Sequence, residues 1–203
     1  MFIDYQNIHL TGRDRFVPEG TPAHECLVHP LHFANQVLGT RQHRLVTKAM
    51  TNPGTPAPPV VVLDKVVVYR GGPSNKEQPS MYRRSQAQRS EWTRDRRVEV
   101  NYRTLRYHWE HGVRVAQEKG VDVLVALALV RAADRGDAPL LILASHDTDL
   151  EPALSAALEN PQATIETAGW DGCKRLRAPG HAIRHTSLDG GAFVRSRDRR
   201  DYT

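Results

Sequence analysis

Apolar residues in this chain fall into short runs separated by polar, glycine-bearing or proline-bearing stretches, and the runs carry two different periods. Residues 1–4 read as a short buried strand ending on Asp4, followed by a long turn. Within residues 22–42, Leu27, Leu31, Val37 and Leu38 recur at roughly helical spacing. Residues 60–70, rich in valine, predict a β-branched strand closed by Gly71-Gly72-Pro73. Residues 81–95 are polar and only faintly amphipathic, and 98–107 alternate as a strand at a sheet face or edge does. From Val113 the period turns helical, with Val121, Leu124, Leu127, Ala128 and Ala132 as a buried stripe. The unbroken apolar run from Leu140 to Ala144 has the character of a central parallel strand, with a short helix over 150–158 and a strand over 163–170. Strands alternating with helices predict an α/β fold built on a mainly parallel, doubly wound sheet.

The chain has 203 residues, enough for one full core, and it shows no internal repeat, so residues 1–203 read as a single domain. Proline excludes regular structure from a loop at 51–59, and a Gly/Pro loop at 71–80 and a basic C-terminal tail at 195–203 complete the irregular segments. Two cysteines, Cys26 and Cys173, build no disulfide framework, and no apolar run reaches the roughly 18 residues of a membrane span. The Met1-Phe2-Ile3 start is not a signal peptide, and a cytoplasmic protein is expected. The formal charge is +5, which suits attraction of a polyanion as well as plain solubility.

Against that positive balance stand three acidic signatures: Asp4 with Asn7, Asp122 within Glu118-Lys119-Gly120-Val121-Asp122-Val123, and Asp147 with Asp149 in Ser145-His146-Asp147-Thr148-Asp149-Leu150. Two of the three follow strand-like runs directly, and the carboxyl ends of parallel strands open into the crevice where such folds bind ligands. Carboxylates gathered there repel by roughly 4 kcal/mol per pair at about 4 Å and an effective dielectric of about 20, which protonation or a cation relieves. Oxygen-only ligands select a hard cation such as Mg2+ or Mn2+. Asp122 near a helix start also gains from the helix dipole. Taken singly, Asp122 equally suits a helix cap, Asp147 and Asp149 a cap and first turn, and Asn7 an Asx turn.

In order and content these motifs resemble the NYN domain, a PIN-like family of ribonucleases and RNA-processing proteins. The likeness rests on Ile3-Asp4-Tyr5-Gln6-Asn7, on Lys119 to Val123 and on Ser145 to Leu150, with Trp170, Leu176, Leu188, Phe193 and the Asp-x-x-x-Tyr ending in support. The resemblance implies a PIN-like three-layer α/β/α sandwich with Asp4, Asp122, Asp147 and Asp149 around one or two divalent ions. Asn7 would position a phosphate, a water or the Asp4 carboxylate, and Glu118, one helical turn before Asp122 if the helix reaches that far, is a candidate helper. One departure is Ala128, six residues beyond Asp122, where many family members carry a further Asp. Another is His146, where glycine is common; it reads either as a phosphate donor or general acid, or as a partly exposed turn histidine.

Cys26, His29 and His32 have helix-compatible spacing but no fourth zinc ligand nearby in sequence, and His181 and His185 on one strand would stand roughly 13 Å apart, too far to share an ion. Between Arg83 and Arg106 lie eight arginines interleaved with Tyr82, Trp92 and Tyr102, and Tyr107 and Trp109 follow; these are the two residue kinds that phosphate contact and base stacking require. The expectation is a Mg2+- or Mn2+-dependent ribonuclease acting on single-stranded RNA, with Lys119, His146, Arg94, Arg96 and Arg97 as candidate substrate contacts. A catalytically weakened RNA-binding module of the same fold and a structure-specific DNA nuclease are the alternatives, and homo-oligomerisation is left open.

Overall fold

A computed structural model of the chain describes residues 1–52 and 54–202; Pro53 of the proline-rich loop and Thr203 of the basic tail lie outside the described residues. Six strands form one parallel sheet: β1 (Phe2–Asp4), β2 (Val66–Gly72), β3 (Val98–Thr104), β6 (Leu140–Ala144), β7 (Thr164–Trp170) and β8 (His185–Leu188). Their spatial order is β3-β2-β1-β6-β7-β8. Between β3 and β6 the chain inserts a separate antiparallel hairpin, β4 (Arg106–Glu110) and β5 (Val113–Gln117).

Helices cover both faces, giving a three-layer α/β/α sandwich. Alternate strand positions decide which face each side chain serves. Ile3, Val66, Val68, Val98, Val100, Ile142, Ala144, Ala168 and Trp170 point to one core, where α1 (Tyr5–Phe16), α2 (Pro30–Thr51), α3 (Pro79–Trp92) and α6 (Gly190–Ser196) contribute Ile8, Phe33, Trp92 and Phe193. Phe2, Val67, Leu141, Leu143 and Ile165 point the other way, against α4 (Val121–Arg135) and α5 (Glu151–Leu158). Local chemistry agrees with these bounds. Pro30 and Pro79 open α2 and α3, where a missing N–H costs nothing. Gly136 ends α4 in the left-handed region, its N–H and that of Asp137 each donating at 3.1 Å to the last carbonyls.

Several sequence expectations change. The turn after Asp4 is helix α1, which starts at Tyr5. The second helix lies at Pro30–Thr51 rather than 22–42, and so takes in Thr51 of the expected loop. Residues 60–65 are not strand, and β2 begins at Val66; Gly71 and Gly72 belong to β2, and Pro79 already opens α3, so the Gly/Pro loop shrinks from both ends. Residues 113–117 form the second arm of the hairpin, not a helix. Within α4 the buried stripe is Val121, Val125, Leu129, Ala132 and Ala133, with Leu127 exposed. The basic tail is docked: Arg197 bridges Val28, and buried Asp198 accepts 2.7 Å bonds from Trp92 Nε1 and the Tyr202 hydroxyl. Among the described residues no helix is long and apolar enough to cross a membrane, and both cysteines are free.

Candidate active site

The winding of the chain locates a crevice before any side chain is considered. From β1 the chain moves outward through β2 and β3, then returns to build β6, β7 and β8 on the other side of β1. The carboxyl ends of β1 and β6 therefore flank the topological switch point, where the connections diverge and leave an opening. Asp4 is the last residue of β1, and Ser145-His146-Asp147 follow β6.

Asp4 shares its sheet face with Phe2, toward α4, and is only 6% exposed. Ser145 Oγ donates to its Oδ2 at 2.9 Å, and the same hydroxyl accepts from the Asp147 N–H at 3.0 Å. Burial pushes the Asp4 carboxyl up to about 6; the Ser145 hydroxyl and the Asn7 N–H oppose the rise, and the charges of Asp147 and Asp122 add to it. Glu118 responds to the same field. Burial first, then the Asp4 charge, and finally Asp122 raise its carboxyl above the usual range, while the Gly71 N–H and then Arg70 oppose. Its Oε2 is buried without a hydrogen-bond partner. Gly71, at the end of β2, makes room for it: a Cβ there would stand 2.9 Å from Glu118 Oε2 and 2.4 Å from Leu105 Cδ2.

Four segments thus bring acids around Asp4: it feels the charges of Asp122 in the first turn of α4 and of Asp147 in the β6–α5 turn, and Glu118, after the hairpin, feels Asp4 and Asp122. Asp122 sits where the helix dipole favours an anion. Asp147 caps the short 3-10 turn Thr148–Leu150, its Oδ1 accepting from Asp149 N–H at 3.0 Å. Asp149 is solvent-exposed on that turn. Among the described residues no three His, Cys, Asp or Glu side chains already close on one point as a metal cage does. The donor set nevertheless fits a hard cation, because it is all oxygen and includes one orphaned, buried carboxylate oxygen.

The remaining sequence candidates take other places. Asn7 does not face the acids through its amide oxygen; its Oδ1 accepts from the His146 N–H at 2.8 Å and stitches the β6–α5 turn to α1. His146 is buried, and both ring nitrogens are committed: Nδ1 donates to Lys174 O at 2.7 Å and Nε2 accepts from Trp170 N–H at 2.9 Å. Burial lowers its pKa, so the ring is a neutral brace, neither exposed turn residue nor general acid. A Cβ at Gly169 would lie 2.3 Å from that ring, so the histidine occupies the space glycine leaves. Lys119 is exposed at the entry to α4, its carbonyl accepting from Arg103 Nε at 2.6 Å. Ala128 lies six residues along α4, a rise of about 9 Å from Asp122, in a groove with Met1, Lys65 and Arg131 at the amino ends of the strands. An acid at 128 would not complete this set. His181 precedes β8 and His185 opens it, so they share no strand face.

Arg94, Arg96 and Arg97 stand at the wrong end of the sheet for an acidic crevice. Asp4, Tyr69 and Asn101 are in register, and Arg97 comes four residues before Asn101, about 13 Å toward the amino ends. Arg97 is held by Asp95 at 2.8 Å and Arg94 by Glu91 at 3.0 Å. Replacing all three by alanine is expected to leave the salt dependence of RNA binding unchanged; oligonucleotide titrations at several salt concentrations measure it, and a slope flattened by about two units would return them to the substrate path.

Glu118 was legible as a helper and Ser145 as a member of the third motif, but the bond from Ser145 to Asp4 and the parts of Gly71 and Gly169 were not, because they depend on contacts distant in sequence. No family model matches the chain, and no curated protein matches it. It is similar to a crystal structure of a protein of unknown function from Vibrio parahaemolyticus, at 15% identity and a TM-score of 0.52, over 93% of this chain and 90% of that one, a likeness in fold.

Proposed function

We propose that this chain is a Mg2+- or Mn2+-dependent ribonuclease that hydrolyses phosphodiester bonds of RNA, single-stranded by preference, in the cytoplasm. The observation that carries the reading is the gathering of Glu118, Asp122 and Asp147 around Asp4 at the switch point, where burial first and neighbouring charges second raise Asp4 to about 6 and raise Glu118, whose Oε2 is buried without a hydrogen-bond partner. The resemblance to the NYN domain supports it independently through motif order. These four carboxylates would hold the cation, which when bound lowers the pKa of the attacking water and offsets charge on the leaving oxygen. Ser145 fixes the Asp4 carboxylate, and Asn7 and His146 fix the turn that presents Asp147. The reaction adds water across one P–O bond, leaving a phosphate on one fragment and a hydroxyl on the other.

A non-catalytic RNA-binding module is the second reading, favoured by the exposure of Asp149 and by the use of Asp147 Oδ1 as a cap. Purified protein with labelled single-stranded RNA or DNA in Mn2+, Mg2+ or EDTA separates the two. RNA cleavage in metal but not in EDTA is expected. RNA bound but intact in all three establishes the binding module, and DNA cut in preference to RNA overturns the substrate assignment.

A further inference from the structure

The β4–β5 hairpin contributes nothing to the central sheet, yet it is held firmly at the rim of the crevice. At its base the Leu105 N–H donates to Gly72 O at 3.0 Å, and Glu118, one of the four acids, follows β5 directly. The Tyr107 hydroxyl accepts from Ser74 N–H at 2.9 Å and donates to Gln78 Oε1 at 3.1 Å. Arg114 reaches Glu77 with Nε at 3.2 Å and Nη2 at 3.0 Å. At the tip His111 and Gly112 have φ of 46° and 76°, the pair of positive angles that a tight two-residue hairpin turn demands. An arm anchored at four points and closed by a tight turn is stiff out to its end.

Trp109 lies near that end, 69% exposed, whereas Trp92 and Trp170 are 0% and 1% exposed. In register opposite it is Arg114, whose guanidinium lies 5.6 Å from the Trp109 ring centroid and 5.9 Å from that of Tyr107. Arginine thus braces one side of the indole, with its own charge tied to Glu77. Toward the crevice the side chains of Arg103, at the end of β3, and Lys119, at the entry to α4, are exposed, while Arg106 lies on the opposite hairpin face from Trp109. A protein partner is a poor occupant. Cross-strand pairing puts Trp109 with Arg114 on one face of the hairpin and exposed Val113 with Glu110 on the other, so the two exposed apolar side chains at the tip do not merge into the contiguous patch an interface core needs. A nucleobase needs only one aromatic face, with cations along the path of its backbone; Trp109 supplies the face, and Arg103 and Lys119 stand exposed at the base of the arm.

We infer that the β4–β5 hairpin is a stacking arm for single-stranded RNA: Trp109 takes a base, and Arg103 and Lys119 lead the backbone past the hairpin base to the acidic crevice. The inference rests on the RNA reading above. It moves the substrate path from the amino ends of the strands to their carboxyl ends. The arm extends from the rim by five residues of strand, about 17 Å, so the base it stacks lies several nucleotides from the scissile bond.

Trp109 is the one well-exposed tryptophan among three, so the acrylamide-accessible part of the emission reports this arm. In EDTA, where cleavage does not interfere, a mixed-sequence single-stranded RNA oligonucleotide is expected to quench that emission and protect it from acrylamide. Trp109→Ala is expected to weaken binding about 5- to 100-fold at unchanged melting temperature, and Trp109→Phe, which keeps a π face, to recover most of it. Binding by wild type with acrylamide access unchanged, equal affinity of the alanine variant, or no RNA binding at all overturns the inference. So does a dimer in sedimentation that Trp109→Ala splits, which would make the hairpin a contact between copies. Cleavage in Mn2+ is measured separately: intact stacking without cleavage sinks the nuclease and leaves the arm, and cleavage without stacking does the reverse.

Discussion

Replacing Asp4 by Asn is expected to reduce RNA cleavage at least about 100-fold, the scale on which removing one group that acts on transition-state charge is felt, while making the protein more stable above pH 6. The two effects share one cause. Asp4 is buried, and its carboxyl is raised to about 6 by that burial, with Asp147 and Asp122 adding to the rise. An unfolded aspartate titrates near 3.9, so between about pH 4 and pH 6 the folded state holds a proton that the unfolded chain has released. The stability this carboxyl allows is therefore fully present below about pH 4 and is lost as pH rises through about 6, to a total of about 3 kcal/mol. Asn has no charge to desolvate and keeps an oxygen to accept from Ser145 Oγ. The expected difference in Tm between Asp4→Asn and wild type is near zero at pH 4 and several degrees in favour of the variant at pH 8. Melting curves at a series of pH values check this, and a variant less stable than wild type at pH 8 would show that the carboxylate is not under strain.

Metal dependence gives the same site a second signature. A cation bound among Asp4, Glu118, Asp122 and Asp147 favours the ionised form of each carboxylate, so it offsets the penalty just described. Mn2+ at pH 8 is expected to raise the wild-type Tm, by mass action on the folded state, and to leave Asp4→Asn nearly unmoved. Asp149 is exposed and should matter less to this shift than Asp147 does, although the two are equivalent in sequence.

Much of this architecture could be read from the chain because its central strands are buried on both faces. The run at Leu140–Ala144 admits no other simple reading, and the acids that follow such strands fall at the switch point by topology alone. Helix α1 was illegible for a physical reason: its buried positions are Tyr5, Ile8, His9 and Gly12, a helical face on which only isoleucine is plainly apolar. Gly12 is small because Trp170 packs there, with Nε1 2.8 Å from where a Cβ would sit. Residues 60–65 have β-branched content but no strand beside them, since β1 is three residues long and the Met1 carbonyl is already taken by the Val67 N–H. The hairpin was hidden by proximity. The alternation of Val113 and Val115 runs within six residues into the true helical stripe at Val121, and its turn is His-Gly rather than the more familiar Asn-Gly. Glu118 could not be placed without that hairpin, and neither could the relation between the arginines and the acids.

The largest effect on stability is expected far from the acids, on the α2 side of β7. Glu166 is buried between Arg41 of α2, which binds it with Nε at 2.7 Å and Nη2 at 2.8 Å, and Arg184, whose Nη1 lies 2.9 Å from its Oε1. Arg184 is half exposed and can turn to water, but Arg41 cannot. Glu166→Gln keeps the volume and removes the charge, leaving the Arg41 guanidinium buried without a counter-ion. Loss of one partner from a buried pair costs about 3–5 kcal/mol, a large part of the roughly 5–15 kcal/mol that holds a domain folded. For a chain of this size that is a fall in Tm of about 10 °C. Removing both charges behaves differently, because the pair repays little beyond its own desolvation: Arg41→Met with Glu166→Leu is expected to recover most of the loss. Thermal melts of Arg41→Met, Glu166→Leu and the double variant form the cycle, with Glu166→Gln as the volume-conserving single. Single variants as stable as wild type would mean that water reaches Arg41, and a double variant no better than the singles would mean that the pair holds α2 to the sheet by geometry that apolar side chains do not replace.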